Sequence, residues 1–137
     1  MKGNFTLIAA LLLFCNVVLA QTDVKFSASN FPGRSADLNA AKAQIKNGDV
    51  FLASGDINNA LRAYLLAQDF NPDNSELNFK IGCCYLGHIQ KFKCLEYFEK
   101  AYNLNKAVDK KILFYLGCGY HWNYQFDEAK KCFTRYI

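Results

Sequence analysis

The chain has 137 residues and a formal charge of +4, from 16 Lys and Arg against 12 Asp and Glu; 52% of it is apolar and 15% aromatic. This excludes a large multidomain enzyme, a collagen-like or low-complexity chain and a disordered one. The weak basic balance has no clustered footprint of the kind nucleic acid requires, so no nucleic-acid partner is expected.

The N-terminus reads Met1-Lys2-Gly3-Asn4, an apolar run from Phe5 to Cys15, then Val17-Val18-Leu19-Ala20. One positive charge, an apolar core and small residues at the end predict a secretory signal peptide over residues 1–20, cut before Gln21. A membrane anchor fits less well, because the run is short for a hydrocarbon core of about 30 Å and is broken by Asn16. Phe14 before Cys15 argues against lipidation there. Removing 20 of the 137 residues leaves 117, and the loss of Lys2 takes the charge from +4 to +3.

Residues 21–36 form an extended lead-in, marked by Ser27, Ser29, Asn30, Pro32, Gly33 and Ser35, with Val24, Phe26 and Phe31 as docking groups. From residue 37 the apolar spacing turns helical. It predicts six helices: Leu38–Ala53, Asp56–Phe70, Ser75–Leu86, Ile89–Leu104, Asp109–Trp122 and Phe126–Ile137. Asp56 and Ser75 are candidate N-caps, with Asp73 a rival for the third helix. Gly55 and Gly87 suit tight turns, and Pro72 ends the second helix. Short linkers make successive helices antiparallel neighbours.

A repeat runs through these helices. Gly48, Phe51, Ala60, Tyr64, Ala67 and Pro72 recur 34 residues later as Gly82, Tyr85, Cys94, Phe98, Ala101 and Lys106. They recur again, 35 residues on, as Gly117, Tyr120, Ala129, Phe133 and Tyr136, which places a one-residue insertion between Leu104 and Lys111. The glycines allow close approach within each hairpin, facing Ala60, Cys94 and Ala129, while the aromatics fill the wedge beside them. Each hairpin buries one side only, so its neighbour covers the other.

This pattern resembles the tetratricopeptide repeat family. The departures are Cys94 for Ala, Lys106 for the terminating Pro, Tyr136 for Ala, and no Trp early in any unit. The resemblance implies an all-α fold, a right-handed superhelical solenoid of antiparallel helix hairpins. Its domain spans residues 37–137, in units of about 41–74, 75–109 and 110–137. The stretches Glu76–Leu86 and Tyr120–Ala129 are also similar to the N-terminal repeats of exported Bacteroidetes envelope proteins, which often carry a downstream OmpA-like peptidoglycan-binding domain. That narrower likeness implies a location in the periplasm or at the outer membrane.

No phosphate-binding glycine loop, HExxH or GxSxG is present, and His88 and His121 are the only histidines. Glu96 and Glu99 read as a solvated helix face beside Lys93 and Lys100; Asp127 and Glu128 offset a helix dipole. Cys118 and His121 share a face but lack further ligands, so neither a metal nor a cofactor is expected. Five cysteines follow the signal segment (Cys83, Cys84, Cys94, Cys118, Cys132), an odd count that leaves at least one thiol without an internal partner. Packed in helices, such thiols serve as small hydrophobes.

In the family, the first helix of each hairpin lines a concave face. Carried over, this places Lys42, Ile45, Lys46, Asp49, Leu52 and Ala53 there, then Glu76, Phe79, Lys80, Cys83, Leu86 and Gly87. Lys111, Phe114, Tyr115, Cys118, His121 and Trp122 follow. Lys46, Asp49, Phe79, Lys80, Cys83, Phe114, Tyr115, Cys118, His121 and Trp122 are the candidate partner-binding residues. An aromatic floor with a few lysines suits an extended peptide or a helix. The alternative is that Phe26 and Phe31 of the lead-in, or a downstream domain, cover Phe79, Phe114, Tyr115 and Trp122. Asp49 and Cys83 stand where a carboxylate-clamping repeat has Asn, so that recognition mode is not expected.

The last helix carries Phe126, Ala129, Cys132, Phe133 and Tyr136, with no polar capping helix after it. The expectation is an N-terminal piece of a longer protein, or an end closed by a partner or by self-association. The functional expectation is a non-catalytic protein-interaction module. A structural spacer within an envelope protein is the alternative.

Overall fold

A computed structural model describes residues 21–137; the predicted signal segment lies outside the described residues. Six helices form: α1 (Ser35–Ala53), α2 (Ile57–Phe70), α3 (Ser75–Gly87), α4 (Cys94–Leu104), α5 (Ile112–Trp122) and α6 (Phe126–Tyr136). No strand occurs among the described residues. The helices pack as three antiparallel hairpins, α1–α2, α3–α4 and α5–α6, joined in series where α2 meets α3 and α4 meets α5. The fold is thus an all-α stack of helix pairs, a solenoid of helix-turn-helix units.

The repeated glycines explain how tightly the hairpins close. A Cβ on Gly48, Gly82 or Gly117 would lie under 3.0 Å from the ring of Tyr64, Phe98 or Phe133 respectively. The glycine faces the aromatic ring of the second helix, rather than Ala60, Cys94 or Ala129 as its sequence partner. Tyr64 and Phe98 are fully buried in consequence. Around them lie Ala60, Ala67, Leu77, Ile81, Cys84, Cys94, Leu95, Ile112 and Leu116, one continuous core running through all three hairpins. Gly119, which lies outside the repeat pattern, sets a second close approach: a Cβ there would stand 3.0 Å from the Leu95 Cα.

Local chemistry sets the helix ends. Asp56 caps α2, its carboxylate accepting the Asn59 N–H at 3.1 Å. The cap of α3 is Asn74, which accepts the Leu77 N–H at 2.9 Å, instead of Ser75 or Asp73. Ser75 is taken by the lead-in, its N–H and hydroxyl both donating to Asp23 at 2.8 Å. Asp73 instead pairs with Lys100 at 3.2 Å. α4 starts at Cys94, later than Ile89, because the chain first turns through a 3-10 segment at Lys91–Lys93. The Gln90 N–H is satisfied there by His88 Nδ1 at 3.1 Å. α5 starts at Ile112, later than Asp109, whose side chain accepts the Lys111 N–H at 2.7 Å.

The lead-in docks on the turn between α2 and α3. Val24 donates to the Asp73 carbonyl at 2.7 Å, and its own carbonyl accepts from Asn71 and Asn74 at 2.9 Å each. Phe26 and Phe31 pack on Phe70, with ring centroids 6.3 and 4.6 Å away, and the Arg34 guanidinium lies 4.5 Å above the Phe70 ring. No buried side-chain nitrogen or oxygen among the described residues lacks a hydrogen-bond partner.

Candidate partner-binding face

The first helices α1, α3 and α5 bring the candidate residues together in two groups. At the α1–α3 end, Asp49 accepts from the Tyr64 hydroxyl at 2.6 Å and from Lys80 Nζ. Burial works against its charge, but Lys80 and Tyr64 outweigh it and hold the carboxyl below the ordinary aspartate range. Lys80 also lies 5.6 Å over the Tyr64 ring. These two predicted contact residues therefore cross-link α1 to α3 and neutralise one another. Lys46 is exposed beside them.

From α3 to α5 the face is aromatic. Phe79 meets Tyr115 edge-on at 5.1 Å and Phe98 at 5.8 Å; Tyr115 meets Phe114 at 5.7 Å. Phe79 and Tyr115 are half-buried within this ladder, whereas Phe114 is 39% exposed and Trp122 44% exposed. His121 is exposed and stands between Trp122 and Phe126, at 6.1 and 5.5 Å. Lys91 lies 4.6 Å over the Trp122 ring. Phe26 and Phe31 are held at Phe70, so the lead-in packs at the α2–α3 turn and leaves Phe114 and Trp122 exposed.

Cys83 and Cys118 are half-buried on this face, and none of the five thiols is in a disulfide. Burial, with smaller contributions from neighbouring groups, pushes Cys83 and Cys94 up to about 12 and Cys84 to about 11. Burial also raises Cys118. Such thiols stay protonated at neutral pH and are poor nucleophiles and ligands. Cys118 and His121 gather no third metal-ligating side chain among the described residues.

Sequence reasoning missed a concavity formed by α4, α5 and α6. A groove of about 700 Å³ lies between α4 and α6 over α5, lined by Tyr102, Leu113, Leu116, Tyr120, Cys132 and Arg135 among others. Its signal was present in the repeat alignment, where bulky Tyr97 recurs as Cys132. No protein-family model matches the chain, and no curated protein matches it.

Proposed function

We propose that this chain is a non-catalytic interaction module of the tetratricopeptide type, exported to the periplasm or outer membrane, which captures a protein segment along α3 and α5. The observation that carries this reading is the exposure of Phe114 on an otherwise half-buried aromatic ladder, and of Trp122 at the end of the same helix. Such a surface gains by burying an apolar helix face or extended peptide. Lys91, 4.6 Å over the Trp122 ring, favours a partner with some acidic character. The partner is a separate protein or a further domain of the same protein.

The test replaces Phe114 and Trp122 together by Ser. Capture of envelope proteins by the immobilised chain is expected to fall at least tenfold while the circular dichroism spectrum is unchanged. The spacer reading draws on the Asp49–Lys80 pairing, which consumes two predicted contact residues internally. It is favoured instead if capture is unaltered and thermal stability drops.

A further inference from the structure

The groove between α4 and α6 has a counterpart one repeat earlier, and the pair differ in an informative way. The earlier groove, about 210 Å³, is lined by Gln68, Asn78, Glu96, Tyr97 and Lys100. The repeat register converts these five into Tyr102, Leu113, Lys131, Cys132 and Arg135, and all five line the groove of about 700 Å³. The same architectural position has been enlarged, made more apolar and made more basic.

The earlier groove is narrowed by the protein's own groups. Tyr97 stacks on Tyr85 with centroids 5.3 Å apart, Gln68 donates to Asn78 at 2.9 Å, and Lys100 pairs with Asp73 at 3.2 Å. In the later groove each device is missing. Cys132 replaces the Tyr97 ring and Leu113 replaces the amide of Asn78. The turn that should supply the acid reads Ala107-Val108, so Arg135 has no ion pair among the described residues and touches only the Tyr102 hydroxyl, at 3.4 Å. The two carboxylates lining the groove are already engaged: Glu99 accepts from Tyr120 at 2.7 Å, and Glu128 from Lys131 at 2.6 Å. The lining's three cations, Lys130, Lys131 and Arg135, exceed its two carboxylates by one, and Lys130 and Arg135 are without an ion pair among the described residues, over an apolar floor.

We propose that this groove binds a small hydrophobic carboxylate, whose anionic head replaces Asp73 on the Arg135 guanidinium and whose apolar body replaces the Tyr97 ring above Leu113, Leu116 and Cys132. Guanidinium–carboxylate pairing supplies the orientation, and the volume lies within the range of small-molecule sites. The site is separate from the α3–α5 face and does not depend on the reading given to that face.

Calorimetric titration of the purified protein with decanoate tests this, with decyltrimethylammonium as the cation of equal chain length. Decanoate is expected to bind at least tenfold more tightly than the cation. Arg135→Gln, at an exposed position, is expected to weaken it at least tenfold, and Cys132→Tyr, which restores the filler, to abolish it. Equal affinity for the two amphiphiles, no uptake of decanoate, or undiminished binding by Arg135→Gln overturns the proposal. Binding of an acidic amphipathic peptide without uptake of decanoate also overturns it and marks the groove as a protein-docking surface.

Discussion

Single residues account for much of the geometry of this stack. Gly82 is buried under the ring of Phe98, itself fully buried, so Gly82→Ala must displace a ring that has nowhere to go. The expected loss is about 1–3 kcal/mol, read from urea denaturation midpoints, by the ordinary cost of overpacking. Tyr124 shows the opposite case. It holds φ 60 in the turn before α6, at the repeat position where Gly55 holds φ 79. Its ring is 83% exposed, so little packing offsets the left-handed backbone. Tyr124→Gly is expected to stabilise the protein by about 0.5–1 kcal/mol, because relief of the strain exceeds the added chain entropy. Asp23 anchors the lead-in. Burial opposes its charge, but the Ser75 N–H, Lys25 and the Ser75 hydroxyl together hold its carboxyl below 3.8. A carboxyl depressed on folding gives stability that is present above the ordinary value and lost as pH falls through the folded one. Stability should therefore decline on acidification below the ordinary aspartate range. Asp23→Asn combined with Asp49→Asn should flatten that decline in pH-dependent melting curves.

Helices and their ends show which parts of the fold were readable in advance. Apolar spacing marked all six helices, and the glycine–aromatic repeat marked their pairing, because it reflects a contact inside each hairpin: Gly48 on Tyr64, Gly82 on Phe98, Gly117 on Phe133. The helix starts were less legible. Asn74 rather than Ser75 caps α3 because the Ser75 N–H and hydroxyl are taken by Asp23, 52 residues away in the chain, and local spacing carries no trace of such a partner. α4 starts at Cys94 because the Lys91–Lys93 turn intervenes, and the Phe92 carbonyl there accepts from Asn123 in the next hairpin at 2.8 Å. On the candidate face, the aromatic residues of α3 and α5 were indicated by the resemblance to the repeat family. The mutual engagement of Asp49 and Lys80 was not, since it joins helices 31 residues apart. Release of the lead-in is a direct check on these end contacts. Asp23→Ala leaves the buried Ser75 N–H and hydroxyl without their partner. The expected loss is about 1–3 kcal/mol, with faster proteolysis confined to residues near 21–34.

At the scale of the whole molecule, three hairpins share one core but contact only their neighbours, so each outer surface is free to diverge. That freedom is visible in the two grooves: the earlier one is narrowed by Tyr97 and its Lys100 is paired with Asp73, and the later one is wider and more basic. It is visible again on the first-helix face, closed by an ion pair between α1 and α3 and exposed at Phe114 and Trp122. A photo-crosslinking amino acid placed at residue 114 in the intact cell tests the capture of a partner most directly, with the same group at Leu66, exposed on α2, as the control. A discrete protein adduct from position 114 and none from position 66 is the predicted result. No adduct from 114, or the same adducts from both positions, would contradict a binding role for this face.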